Sequence, residues 1–120
     1  MTNKNNDFLK KLLATFKIEA DEHLKAISAG LLELEKMPAG ERRAEIIEQV
    51  FREAHSLKGA ARSVNLTEIE SVCHALESVF AALKNGQLAD SQSLFDLLQG
   101  ATDAVGTLLS TEGTAASGPA

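Results

Sequence analysis

The sequence predicts an all-α fold, an antiparallel up-down-up-down bundle of four helices. Apolar residues recur at steps of three and four in four separate segments, which is the spacing of one face of an α-helix. The composition agrees, because the chain has only two prolines and no Trp or Tyr and is rich in the helix formers Leu, Ala, Glu and Lys. Short connections join the segments, and such connections make consecutive helices antiparallel neighbours.

The first helix is expected from about Asp7 to Lys36, after a disordered N-terminus at residues 1–6. Gly30 weakens this helix locally and permits a slight bend. The run Met37-Pro38-Ala39-Gly40 ends it, because proline cannot continue the ladder of backbone hydrogen bonds. The predicted inward stripe consists of Leu9, Leu13, Phe16, Ala20, Leu24, Ile27, Leu31 and Leu34.

The second helix is expected from Glu41 to Val64, with acidic side chains toward its positive N-terminal end. Its predicted core stripe consists of Ile47, Val50, Phe51, Ala54, Leu57, Ala61 and Val64. At roughly 100° per residue, His55 lies about 120° from the middle of that stripe. His55 is therefore expected at the edge of the exposed face.

Capping and turn signals delimit the third and fourth helices. Thr67 and Glu70 predict a capping box at the start of the third helix, and Asn85-Gly86 ends it. Asp90 or Ser91 is expected to open the fourth helix. The third stripe is predicted as Ile69, Val72, Cys73, Leu76, Phe80 and Leu83. The fourth is predicted as Leu94, Leu97, Leu98, Ala101, Val105 and Leu108.

The bundle is expected to occupy residues 7–112, and residues 113–120 are expected to form a flexible tail or a linker. This end of the chain has small residues, Gly and Pro and almost no apolar bulk.

Composition excludes several classes of function. The formal net charge of −5 argues against nucleic acid, because no basic stripe remains to neutralise phosphates. No apolar run approaches membrane-spanning length, and the first residues lack the layout of a signal peptide. Cys73 is the only cysteine, so neither a disulfide framework nor a paired-cysteine metal site is expected. A reducing cytoplasm is the expected location.

His55 has two informative neighbours on its helix. Lys58 and Gly59 follow it by three and four positions, so both lie beside it on the helix surface. A glycine inside a helix costs about 1 kcal/mol relative to alanine. A helix that accepts this cost beside an exposed histidine indicates a surface that must stay bare. We interpret His55 as a histidine that a large partner reaches, with a cation available for negative charge.

The run from Ala54 to Gly59, A-H-S-L-K-G, resembles the phosphorylation motif of histidine-containing phosphotransfer (HPt) domains. His74, followed three residues later by Glu77, stands at the offsets that the family shows for its second histidine and its carboxylate. Over most of its length the chain is most similar to the N-terminal P1 domain of the chemotaxis histidine kinase CheA. The resemblance implies a four-helix bundle and a role in two-component signalling.

The resemblance also implies roles for individual residues. His55 would be the phosphoacceptor, and Glu77 would accept a hydrogen bond from one ring nitrogen and orient the imidazole. Lys58 and His74 would complete the polar network.

Three further residues are expected to contact partners. They are Ser56, Gly59 and Arg62, of which Arg62 lies one turn beyond the glycine, near the face of His55. The chain departs from the family at Ala60, where many CheA relatives have a second glycine. It departs again at Asn65, where many relatives have a glycine in a left-handed conformation that Asn tolerates.

The resemblance implies two protein partners. The phosphoryl donor would be the ATP-binding domain of a histidine kinase, and the acceptor an aspartate on a CheY-like response-regulator receiver domain. ATP would belong to the kinase domain and Mg²⁺ to the receiver, so no cofactor is expected here. The chain has no glycine-rich ATP loop, and we expect it to lack kinase activity of its own and to be part of a CheA-like phosphotransferase.

Two other classes of function are weighed against this one. The first is a metal-binding bundle that uses His55, His74, Glu70 and Glu77. Di-iron bundles need Glu-x-x-His on two helices, whereas Glu70 stands four residues before His74, so the spacing fails. The second is a purely structural adaptor bundle, which the phosphorylation motif disfavours.

Overall fold

The computed structural model describes the backbone at residues 2–36 and 39–117 and the side chains at residues 6–36 and 39–111. It contains four helices: α1 (Thr2–Lys36), α2 (Glu41–Ser63), α3 (Thr67–Lys84) and α4 (Gln92–Ser117). Each helix packs on two others in the order α1, α2, α3, α4 and back to α1. The predicted all-α four-helix bundle is confirmed. Within the described residues, no helix is long and apolar enough to span a membrane.

The core runs along the bundle as two apolar clusters. One cluster lies toward the α1–α2 and α3–α4 connections, and its members include Ile27, Leu31, Leu34, Ile46, Ile47, Val50, Ala54, Leu76, Phe80, Leu83, Phe95 and Leu98. The other lies toward the α2–α3 turn and comprises Phe16, Ala20, Leu24, Leu57, Ala61, Ile69, Cys73, Val105 and Leu109. Burial raises the pKa of the Cys73 thiol to about 12, as expected of a small core residue.

The α1 stripe is buried from Phe16 to Leu34, as predicted, but Leu9 is 57% exposed. The prediction for Leu9 was wrong because α1 begins at Thr2, not near Asp7, and is much longer than α2. With 35 residues against 23, α1 exceeds α2 by about 18 Å at 1.5 Å per residue. Its first turns therefore extend beyond α2, and α1 first packs against the core at Leu13.

The end of α4 also differs from the predicted one. Helix α4 continues to Ser117, past the expected end of the bundle at residue 112, and residues 118–120 lie outside the described part of the chain. The linker role of this end stays a prediction. Helix α1 ends at Lys36 as predicted, whereas Met37 and Pro38 lie outside the described residues.

The turn between α2 and α3 confirms one prediction and corrects another. Asn65 has a φ of 61°, the left-handed conformation that the family resemblance implies at this position. The predicted capping box at Thr67 is wrong, because Thr67 already lies inside α3 and Leu66 is the N-cap residue, without a side-chain hydrogen bond. The Leu66 carbonyl accepts from the Glu70 amide at 2.9 Å, and the Leu66 amide donates to the Ala61 carbonyl at 3.0 Å. Backbone groups thus join the two helices.

Helix α4 is rotated from its predicted orientation. Leu97 is 68% exposed, whereas Phe95 is 5% exposed and belongs to the core. The observed buried stripe is Phe95, Leu98, Thr102, Val105 and Leu109. Thr102 tolerates burial because its hydroxyl donates to the Leu98 carbonyl at 2.8 Å. Ser91 is the capping residue, since its Oγ accepts from the Leu94 amide at 3.0 Å.

At Gly30, α1 packs closely against side chains of α2. A Cβ atom built on Gly30 would lie 2.5 Å from Cγ1 of Val50, which is fully buried. No real Cβ atom keeps such a distance, so a side chain at this position would force the two helices apart. The glycine that the sequence marks as a weak point of α1 therefore allows the histidine helix to pack closely.

Gly30→Ala is expected to lower the free energy of unfolding by about 1 kcal/mol, because overpacking costs about 1–3 kcal/mol and outweighs the gain in helix propensity. Gly100→Ala is the matched control. Gly100 also lies inside a helix, with nothing within 4 Å of a built Cβ, so this variant should gain about 1 kcal/mol. Urea unfolding measures both values. Equal stabilisation by the two substitutions would contradict the close contact.

Candidate functional site

The centre of the candidate site is a hydrogen bond across the groove between α2 and α3. Nδ1 of His55 lies 2.5 Å from Oε2 of Glu77. The His55 side chain is 63% exposed, whereas that of Glu77 is only 13% exposed. The carboxylate thus lies deep in the groove, and the imidazole lies above it and reaches solvent.

Lys58 occupies the other oxygen of the same carboxylate. Its Nζ donates to Oε1 of Glu77 at 2.6 Å, and its side chain is 27% exposed. His55 and Lys58 are three residues apart on α2, so one helix presents both groups to one residue of α3. Each oxygen of the partly buried carboxylate therefore has its own donor.

The charge state of Glu77 determines the tautomer of His55. Burial favours the neutral acid, but hydrogen bonds from Lys58 and His55 outweigh it and hold the pKa of Glu77 below its ordinary value of 4.5. An ionised carboxylate only accepts hydrogen bonds, so Nδ1 of His55 carries the proton. In the neutral ring, the lone pair then lies on Nε2, the ring nitrogen that does not contact Glu77.

The surface around His55 is open. Apart from the adjoining residues and backbone of α2, no heavy atom lies within 4 Å of a Cβ built on Gly59, and Ser56 is exposed. The Arg62 side chain is 81% exposed, with its Nε 4.0 Å from Oε2 of Glu70, at the limit of an ion pair. The three residues predicted to contact partners therefore lie on accessible surface of α2.

Two residues of the α3 flank do not join the His55 network. Glu70 pairs with Arg62. His74 is exposed and, within the described residues, has no hydrogen-bond or ion-pair partner. It lines a shallow cleft of about 250 Å³ with Lys58, Arg62, Glu70 and Ser71. The structure brings Glu77 and Lys58 to His55 and leaves His74 beside the network.

Phe51 is a neighbour of His55 that the sequence placed only in the core. Its ring is nearly parallel to the imidazole, with an interplanar angle of 13° and centroids 6.4 Å apart. The Lys84 ammonium lies 5.5 Å from the centroid of the same ring and 2.6 Å from Glu48. That hydrogen bond holds the pKa of Glu48 below its ordinary value. The i, i+4 spacing of Phe51 and His55 was the available signal for this contact.

Another histidine makes a similar contact elsewhere on the bundle. Nδ1 of His23 on α1 lies 2.6 Å from Oε1 of Glu53 on α2, but the His23 side chain is only 26% exposed. This pair joins α1 to α2 on the other flank of the histidine helix.

The alternative metal site is not assembled by the described residues. They contain no group of three or more His, Cys, Asp or Glu side chains placed to hold a metal ion. Of the four candidate ligands, His55 and Glu77 contact each other, while Glu70 pairs with Arg62 and His74 stands apart. Since these side chains do not converge, their arrangement does not favour a metal-binding bundle.

The fold and the site define a helical domain that exposes one oriented histidine, and comparison with known proteins identifies its class. A family model described as the Hpt domain matches residues 11–108. The chain belongs to the Hpt domain family.

Chemotaxis proteins named CheA are among the similar proteins. The chemotaxis protein CheA of Listeria monocytogenes is 32% identical over 99 residues, which cover 82% of this chain and 16% of that protein. The CheA phosphotransferase domain from Thermotoga maritima has a TM-score of 0.77 and 29% identity, covering 84% of this chain and 93% of that chain. The chain thus spans about one-sixth of its Listeria relative's length and nearly the whole of the solved Thermotoga domain.

A third similar structure shares the fold at lower identity. It is the phosphorylated P1 domain of CheA3 in complex with CheY6 from R. sphaeroides, with a TM-score of 0.77 and 22% identity. The match covers 88% of this chain and 80% of that chain.

The lowered pKa of Glu77 predicts an acid-dependent loss of stability. A carboxyl group with a lowered pKa in the folded state stabilises the fold above its unfolded pKa, and this contribution disappears as pH falls through the folded pKa. At neutral pH, the wild-type protein is therefore expected to have a larger free energy of unfolding than Glu77→Gln. This difference should shrink as the pH falls below 4.5, the ordinary pKa of a glutamate side chain. Urea unfolding at a series of pH values measures this.

Asp103→Asn serves as the control, because it removes an exposed carboxylate from the middle of α4. Its effect on stability at neutral pH should be small. A difference between wild type and Glu77→Gln that stayed constant into the acid range would contradict the two hydrogen bonds.

Proposed function

We propose that this domain is a phosphotransfer module of chemotaxis-type two-component signalling. His55 accepts a phosphoryl group from the ATP-binding domain of a histidine kinase and donates it to an aspartate of a receiver domain. The observation that carries this proposal is the hydrogen bond from His55 Nδ1 to the Glu77 carboxylate beneath a ring that is 63% exposed. This hydrogen bond gives Nδ1 an acceptor for its proton and leaves the lone pair of Nε2 available to accept a phosphoryl group.

The loading step follows from this tautomer. The lone pair on Nε2 attacks the γ-phosphorus of ATP held by the kinase domain, a P–N bond forms, and the bond to the bridging oxygen breaks. ADP leaves with that electron pair. The Nδ1 proton stays on the ring, which becomes cationic, and Glu77 stabilises the new charge.

The unloading step reverses the charge change on the ring. An aspartate oxygen of the receiver attacks phosphorus, the P–N bond breaks, and its electron pair returns to Nε2. The imidazole becomes neutral again with its proton still on Nδ1. Mg²⁺ belongs to the receiver and ATP to the kinase domain, so this chain supplies the oriented histidine and neither cofactor.

Lys58 supports both steps by position and charge. One of its donors holds Oε1 of Glu77, which keeps the carboxylate in place below the ring. An ammonium group has three donors, so Lys58 has others for the oxygens of a phosphoryl group on the neighbouring histidine.

The expected partners are protein domains. The P1 domain of CheA3 from R. sphaeroides is phosphorylated and in complex with CheY6 in its solved structure. The open surface of Ser56, Gly59 and Arg62 beside His55 suits a CheY-like receiver or an incoming kinase domain. We place the domain in the cytoplasm as part of a CheA-like kinase, consistent with its single buried cysteine.

His55→Gln tests the proposal directly. The variant should take up no phosphate from a CheA kinase domain and labelled ATP. Helicity and thermal melting should be nearly unchanged, because His55 is largely exposed and the amide of Gln retains a hydrogen-bond donor for the Glu77 carboxylate. His74→Gln and His23→Gln are the controls and should keep acid-labile label. Phosphate retained on His55→Gln would show that another residue is the acceptor.

Gly59→Leu tests whether partners approach over the glycine. Leucine is the better helix former, and a Cβ built on Gly59 lies in open space, so the fold should be at least as stable. A partner that packs over Gly59 would meet the new side chain, and transfer from phosphorylated His55 to a receiver should fall by about tenfold or more.

Gly100→Leu on α4 is the matched control, with the same open surroundings and no part in the α2–α3 groove. It should transfer at the wild-type rate. Normal transfer by Gly59→Leu would place the docking surface on another side of His55.

A further inference from the structure

We propose that Phe51 is a positioning residue that fixes the plane of the His55 imidazole and so aims Nε2 at the phosphoryl donor. This inference rests on the proposed function and adds to it a residue outside the motif around the histidine. It concerns the orientation of the ring, whereas Glu77 determines its tautomer.

The hydrogen bond to Glu77 alone does not orient the ring. It restrains a single atom, Nδ1, and small rotations about the Cα–Cβ and Cβ–Cγ bonds still let the plane of the ring rock while that hydrogen bond bends. The exposure of the side chain leaves few other neighbours to stop that movement. A swing of the ring carries Nε2 with it, and a misplacement of about 1 Å in a reacting atom can cost about a hundredfold in rate.

Phe51 supplies the missing restraint. Its ring lies one helical turn before His55 and nearly parallel to it, at an interplanar angle of 13°. A nearly parallel aromatic neighbour limits tilting of the imidazole toward that side. The hydrogen bond and the stacked ring act in different directions, and together they determine where Nε2 points.

Phe51 is itself held from two sides. The side chain is partly buried and packs against the apolar cluster toward the α1–α2 connection. Lys84 of α3 lies over its ring and is anchored by the ion pair with Glu48, one turn earlier on α2. The ring therefore forms a fixed surface beside the histidine and is not a mobile side chain.

The test compares Phe51→Leu with Phe95→Leu. Phe95 belongs to the core cluster that Phe51 packs against, but the structure records a ring contact with His55 only for Phe51 among the described residues. His55 is loaded in two ways: by a CheA kinase domain with ATP, and by phosphoramidate, which transfers its phosphoryl group to Nε2 and releases ammonia. The small donor reports on the histidine without a docked protein.

Phe51→Leu is expected to react about tenfold more slowly or worse with both donors, with a lower kcat and an unchanged KM for the kinase domain. Phe95→Leu should lose stability but keep its rate per folded molecule, and Phe51→Tyr should restore the rate because it keeps the ring. Wild-type rates in Phe51→Leu, or an equal loss in Phe95→Leu, would overturn the positioning role.

Nitrogen-15 NMR of the His55 ring separates this inference from the proposed function. Phe51→Leu should keep the proton on Nδ1, because Glu77 is unchanged, while ring relaxation shows greater mobility than in wild type. If wild type takes up no phosphoryl group on His55 from either donor, the proposed function fails, and the relaxation data still decide whether Phe51 holds the ring. Unchanged mobility in Phe51→Leu would overturn the inference on its own.

Discussion

The site depends on one partly buried carboxylate with two donors. Removing an ionised carboxylate from water is costly unless hydrogen bonds replace the lost hydration. In this domain His55 and Lys58 satisfy one oxygen of Glu77 each. Both donors come from α2, so the register of α2 against α3 is constrained by the same contact that determines the tautomer of the imidazole. Stability and chemistry share this interaction, and neither partner helix can shift by one turn without breaking it.

The α2–α3 groove repeats this pattern along its length. Glu48 pairs with Lys84 at one end, Glu77 pairs with His55 and Lys58 in the middle, and Arg62 approaches Glu70 toward the α2–α3 turn. On the opposite flank of α2, Gly30 lets α1 approach closely, and His23 bonds to Glu53. The histidine helix is thus held on both sides, which suits a residue that presents a reactive nitrogen outward.

Periodicity predicted much of this structure, and its failures have physical causes. The stripe from Phe16 to Leu34 was found because every member is apolar. The α4 stripe was misplaced because its central residue, Thr102, is polar and tolerates burial through its own helix backbone. The contact between His55 and Glu77 depends on the relative register of α2 and α3, which a hydropathy pattern does not determine. The resemblance to the family motif is what predicted this contact. Phe51 was assigned wholly to the core because a large apolar side chain gives the same sequence signal whether it fills a core or borders a reactive ring.

The high exposure of His55 has an energetic consequence for a carrier. Any interaction that is stronger with the phosphorylated, cationic ring favours loading and disfavours unloading by the same factor, because both steps share that species. A deeply buried ion pair between the ring and Glu77 would stabilise the phosphorylated ring so strongly that transfer of the phosphoryl group to the next protein would be disfavoured. With the ring 63% exposed, solvent screens the added charge and keeps this stabilisation modest. In the proposed function, the position of His55 at the rim of the groove therefore favours a high group-transfer potential for its phosphorylated form.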